Sequence, residues 1–152
     1  MSSIFQKINL NLPVATVFDA FVNEFNNWWP KEYTWSQDKL VEINIGTELN
    51  APCFEIGPHG FRCDWGRVIS FSANKKIKFT WQIGPNRDPV PDPEKASEVL
   101  VTFTNQEGKT QLTLEHSKFD NHSDGGMEYQ KMMASKQGWN YILEHFKKYI
   151  SS

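Results

Sequence analysis

Only two cysteines, Cys53 and Cys63, occur in the 152 residues, too few for a disulfide scaffold and in keeping with a reducing compartment. No stretch approaches the roughly 20 apolar residues that a membrane helix needs, so no membrane insertion is expected. Neither sign of charge dominates, since 16 basic residues against 18 acidic ones leave a formal net charge of −2. Without a basic surplus there is no electrostatic case for nucleic acid or for an anionic membrane. Met1 to Leu12 alternates polar and apolar types with no basic start, apolar core or small-residue cleavage site, so a cytoplasmic location is expected. Internal repeats, low-complexity tracts, a nucleophile elbow, a phosphate loop and a metalloprotease helix motif are also missing. Small molecules are the partners these absences leave.

What the chain does have is aromatic surface: 6 Trp, 11 Phe and 4 Tyr. Such residues serve a core and a ligand cavity equally well. A mass of 17.6 kDa fits residues 1–152 as a single domain.

Periodicity organises the chain. Ile4 to Leu10 alternates as a strand. After Pro13, the series Val14, Val17, Phe18, Phe21, Val22 and Phe25 makes a helical stripe, broken by Asn26, Asn27 and Pro30 around Trp28-Trp29. Strands are expected at about 40–45, 49–56, 61–71, 76–82, 98–105 and 110–117. The linkers Gly57-Pro58-His59-Gly60, Ala73-Asn74 and Gln106-Glu107-Gly108 suit antiparallel hairpins. The connection from Gly84 to Ser97 is longer and carries Pro85, Pro89, Pro91 and Pro93, which suits either a surface excursion or a rim over a pocket. From Gly125 to Ile150 the residues Met132, Trp139, Leu143, Phe146 and Ile150 recur at helical spacing, predicting one long helix lying along a sheet.

Strand phase selects inward side chains. Ile77, Phe79 and Trp81 form one face, as do Val99, Val101 and Phe103, and Leu112 and Leu114 share theirs with His116. Phe61, Cys63, Trp65, Arg67, Ile69 and Phe71 are expected inward, with Arg67 the single charge among them. Pairing Cys53 with Cys63 would bring Glu55 inward beside Arg67, whereas a slip of one residue would turn Glu55 out. A bulge in this strand would reverse Trp65 and Arg67 together. Cys53, His59 and Cys63 bracket one hairpin but would not converge on a metal easily.

The order of strand, helix, Trp28-Trp29-Pro30 bend, strands and long last helix resembles the helix-grip fold of the START and polyketide-cyclase-like superfamily. Asp64-Trp65-Gly66-Arg67-Val68, Ile77-Lys78-Phe79-Thr80-Trp81, Leu114-Glu115-His116 and Gly138-Trp139 resemble the branch named after the activator of the ninety-kilodalton heat-shock chaperone's ATPase. The resemblance implies an α+β fold: a curved seven-stranded antiparallel sheet wrapped around a long C-terminal helix, with one or two short helices after the first strand. It also implies a mainly apolar cavity between sheet and helix. Members of the superfamily bind lipids, sterols, polyketides or aromatic metabolites, and some are cyclases or aromatases. The chaperone activator itself uses an additional N-terminal domain.

The leading expectation is a non-catalytic module without cofactor or metal that binds a small hydrophobic or aromatic molecule. Trp65, Phe79, Trp81, Phe103, Trp139 and one or both of Trp28 and Trp29 would line its cavity, with Arg67, His116 and Glu55 at the ligand's polar end. The alternative is a cyclase, dehydratase or hydrolase using His116 as acid and base beside Glu55 or Arg67. A third reading is a co-chaperone-like interaction domain, favoured by an exposed apolar helix face and disfavoured by a gripped one. Homodimerisation is left open.

Overall fold

The alternating segments become strands because each has one apolar face to bury. In a computed structural model, which describes residues 3–122 and 125–151, the strands are β1 (Ile4–Leu10), β2 (Glu42–Asn44), β3 (Pro52–Ile56), β4 (Arg62–Ser72), β5 (Lys76–Trp81), β6 (Ser97–Gln106) and β7 (Lys109–Ser117). They form one seven-stranded antiparallel sheet, curled into a half-barrel, in the order β1-β7-β6-β5-β4-β3-β2. Turn chemistry sets the register. Between the paired residues Gln106 and Lys109, Glu107 and Gly108 both take positive φ, 56° and 85°, the two-residue turn that matches strand twist. β2 and β3 are shorter than expected. Val41 and Leu49 are 62% and 60% exposed, and Asn50, at φ 69°, turns the chain before Pro52.

Two helices follow β1. In α1 (Val14–Asn23) the stripe Val17, Phe18, Phe21 and Val22 is buried. Asn26 and Asn27 do not end helical structure, which resumes as the short α2 (Phe25–Trp28). Trp29, forced out of helical geometry by Pro30, is extended at ψ 133°.

The C-terminal helix is long and bent. α3 (Gly126–Ala134) and α4 (Trp139–Ser151) meet at a turn over residues 135–138. Ser135 is extended, and the Gly138 amide returns to its carbonyl oxygen over 3.0 Å. A Cβ on Gly138 would sit 2.0 Å from the Met133 carbonyl oxygen, so the corner closes only on glycine. The bend corrects the expected stripe: Trp139, Leu143 and Phe146 are buried with Ile142, but Met132 is 57% exposed. Among the described residues no helix is long and apolar enough to cross a membrane.

β4 corrects a second expectation. Cys53 pairs with Gly66 and Phe54 with Asp64, leaving Trp65 as the extra residue of a bulge. The bulge therefore falls between Trp65 and Arg67 and reverses only the latter. Trp65 is 2% exposed and inward, whereas Arg67 lies at the surface with its Nη1 donating to the Asn50 carbonyl over 2.6 Å. Ile69 also turns outward, at 37% exposure, before a second irregularity between Val68 and Ser70 returns Phe71 to the inner side against Phe18. Glu55 pairs with Cys63 and is inward, so the two thiols are not cross-strand neighbours.

The aromatics divide between two ends of the interior. At one end Phe18, Phe21, Trp28, Phe103 and Phe146 interlock at ring separations of 4.8–5.6 Å as solid core. At the other, Trp29, Trp65 and Trp81 stand around a space, with Trp139 packed behind them.

Candidate functional site

That space is a cavity of about 480 Å³ between the end of the sheet and the bend of the C-terminal helix. β4 and β5 present Trp65 and Trp81, the proline-directed bend presents Trp29, and β3 presents Glu55. α3 adds Tyr129 and Met133, and the start of α4 adds Ile142. The segment between α2 and β2 adds Tyr33, Thr34 and Trp35, and the proline-rich loop adds Ile83, Pro85 and Arg87. That loop is thus a rim of the cavity rather than a remote excursion.

Hydrogen bonds hold the walls in place. Trp81 Nε1 donates to the Tyr129 hydroxyl over 2.6 Å, which donates in turn to the Ile83 carbonyl over 2.8 Å. Tyr33 donates to the Gln137 carbonyl over 2.6 Å, tying the α2–β2 segment to the helix bend. Trp35 Nε1 donates to the Arg87 carbonyl over 2.5 Å, tying the same segment to the proline-rich loop. Burial pushes the Tyr129 hydroxyl well above the ordinary phenol range, so it stays a neutral donor.

Glu55 is the carboxylic side chain lining the inner wall, 1% exposed. Its Oε1 accepts the Trp35 backbone N–H over 3.1 Å and its Oε2 that of Ser36 over 2.7 Å. A carboxylate accepts at both oxygens, which a neutral amide cannot do. Trp29 and Trp65 stack with ring planes 17° apart, and their buried indole N–H groups find no partner among the described residues. Unpaired buried donors of this kind are uncommon and cost about 1–3 kcal/mol each.

His116 lies behind the cavity, fully buried, and does not line it. Trp139 Nε1 donates to its Nδ1 over 2.9 Å, which places the imidazole proton on Nε2, 2.7 Å from Ser97 Oγ. The Ser97 amide donates to His122 Nε2 over 3.2 Å, so that nitrogen carries no proton and also accepts from Ser97 Oγ, 2.8 Å away. The order is Trp139 to His116 to Ser97 to His122. Burial, and then the neighbouring His122, hold the His116 pKa well below the ordinary histidine value; burial lowers that of His122 as well. The acid–base candidate is therefore a saturated, neutral histidine that donates to a serine rather than activating it.

Of the residues expected at the cavity, Trp29, Glu55, Trp65 and Trp81 line it together. Trp28 and Phe103 belong to the solid end, with Trp28 Nε1 donating to the Phe21 carbonyl over 3.1 Å. Phe79 stands edge-on behind Trp65, and Trp139 behind Trp29 and Trp81. Arg67 faces outward because of the bulge. Burial pushes the Cys53 thiol up to about 12, and His59 sits exposed at the hairpin tip with φ 59°. The residues missed include Tyr33, Trp35, Ile83, Arg87 and Tyr129. The aromatic pair flanking Thr34 was a signal for the first two, and Tyr129, four residues before Met133, lay on the helical face that continues toward the bend.

No curated protein matches the sequence. Solved structures resemble it along nearly its whole length. An anthrahydroquino-gamma-pyrone synthase, Txn09, is 23% identical over 97% of this chain and 96% of its own, with a TM-score of 0.67. NE0264 from Nitrosomonas europaea is 15% identical over 98% and 94%, with a TM-score of 0.69. CalC, a self-sacrificing resistance protein from Micromonospora echinospora, is 21% identical over 97% and 93%, with a TM-score of 0.63. At these identities the likeness establishes a shared fold. The model for "Activator of Hsp90 ATPase homolog 1-like protein" matches residues 11–151, which places the chain in that family.

Proposed function

We propose that this protein binds a small, largely apolar molecule, aromatic or lipid-like, in the cavity between the sheet and the bend of the C-terminal helix. The observation that carries the reading is the composition of the wall: indoles of Trp29, Trp65 and Trp81 around about 480 Å³, with one buried carboxylate and two unpaired indole N–H groups. Pockets of this size with few fixed polar groups suit drug-sized ligands. We read the site as a receptor rather than a catalyst because His116 is saturated behind the wall. The protein-interaction reading is weakened by α4, whose apolar residues Trp139, Ile142, Leu143 and Phe146 are gripped by the sheet. That Txn09 is named a synthase of an anthrahydroquino-gamma-pyrone supports trying aromatic polyketides first.

The test is an amide NMR titration with fatty acids, sterols, flavonoids and aromatic polyketides. Saturable shifts at Trp29, Trp65, Trp81 and Tyr129 are expected for at least one class. Shifts with none of them would remove the reading.

A further inference from the structure

We propose that the ligand of this cavity is an organic cation, an aromatic or aliphatic molecule bearing a quaternary ammonium or protonated amine, whose charged head lies against Glu55. The proposal rests on the ligand-pocket reading above and specifies the charge of what enters.

Among the described residues Glu55 has no counter-ion. The ion pairs among the described residues join Arg62 to Asp64, Lys78 and Lys118 to Glu98, and Lys131 to Glu128. Removing a carboxylate from water costs several kcal/mol unless a charge repays it. The amides of Trp35 and Ser36 offer dipoles, and each oxygen keeps further acceptor capacity. The one basic residue lining the cavity, among the described residues, is Arg87, which is exposed on the proline-rich loop and pairs with no carboxylate there.

The rest of the wall has the same preference. Trp29, Tyr33, Trp35, Trp65, Trp81 and Tyr129 supply six aromatic side chains. Ring faces carry partial negative charge, indole attracts cations best, and aromatic enclosures are a recurrent solution for quaternary ammonium groups. An anionic ligand would meet repulsion from Glu55, and a neutral one would leave its charge unmatched. A cation satisfies the carboxylate and the rings at once, and its apolar remainder occupies the side walled by Ile83, Met133 and Ile142.

Phenyltrimethylammonium and tert-butylbenzene have the same shape and differ by one positive charge. Titrated separately into the full chain and followed by amide NMR, the cation should bind at least about tenfold more tightly. Glu55→Gln should cut most of that preference, leaving the small part that the rings supply. Because an amide cannot accept both backbone N–H groups, this variant could lose its fold; Trp35→Leu, which keeps the backbone bond to Glu55, should lower cation affinity several-fold by removing a ring. Equal binding of the two probes, or tighter binding of tert-butylbenzene, overturns the proposal while leaving the pocket reading intact. A preference undiminished in Glu55→Gln, or in Trp35→Leu where Glu55→Gln does not fold, also overturns it. Silence with both probes and with the whole neutral panel removes the pocket and this proposal together.

Discussion

The indole of Trp139 donates to Nδ1 of His116, and this contact fixes the protonation of a histidine that does not line the cavity. A second proton on that ring would place one donor against another. The pair joins the start of α4 to β7, so the ionisation of His116 is coupled to the docking of the terminal helix.

Acid should therefore loosen the fold before carboxylates are involved. His116 and His122 both have lowered pKa values in the native state, so the unfolded chain takes up protons near 6.5 that the native state refuses. Stability is then full above about pH 6.5 and falls below it, by up to about 1.4 kcal/mol per pH unit for each such histidine. Glu32 and Glu98, whose pKa values are lowered from 4.5, lose their contribution only at lower pH. Urea midpoints between pH 7.5 and 5 should decline, and His116→Gln, less stable at pH 7.5, should decline less steeply. Parallel curves for the two proteins would contradict this account.

Gly138→Ala should cost about 1–3 kcal/mol, the range for forcing an atom into filled space. The added methyl meets the Met133 carbonyl at the bend, so the α3 amides should shift in NMR spectra while those of β6 and β7 keep their positions. A variant with native melting temperature would mean that the corner can open without penalty.

Glu107→Asn should stabilise the protein by about 0.5–1 kcal/mol, because asparagine tolerates positive φ better than glutamate and Asn-Gly is the favoured pair in this turn. Thermal melting should rise by about 2–4 °C per kcal/mol for a chain of this size. No rise would show that the turn bears no strain.

Arg67→Ala should leave the affinity of any cavity ligand unchanged and alter stability by no more than about 0.5 kcal/mol, as for other surface substitutions. A tenfold loss of affinity would mean that the guanidinium reaches the ligand after all.

Trp65 and Arg67 show where reading by alternation stops. The antiparallel strands and the terminal helix follow from apolar periods of 2 and about 3.6, which burial enforces over many residues. The face of Glu55 instead hung on pairing Cys53 with Cys63, and the structure turns it inward by another register, in which Glu55 itself pairs with Cys63. A bulge adds one residue and leaves no trace in composition, so Trp65 kept its expected face while Arg67 and Ile69 lost theirs. Residues 31–39 were illegible for a different reason. Their short 3₁₀ turns at Lys31–Tyr33 and Gln37–Lys39 have no apolar repeat, and their position depends on a carboxylate two strands away in sequence. The division of aromatics was equally hidden, since Trp28 and Trp29 are neighbours with the same side chain and only Pro30 sends the second toward the cavity.

Trp29, Trp65, Trp81 and Trp139 have neighbouring ring centroids 5.3–6.3 Å apart. At such spacing the electronic transitions of the indoles couple, so light absorbed by one is shared among the others. The near-ultraviolet circular dichroism of this protein is consequently a property of the cluster, sensitive to the angle between rings, and a molecule entering the cavity would change its sign pattern without any label having been attached.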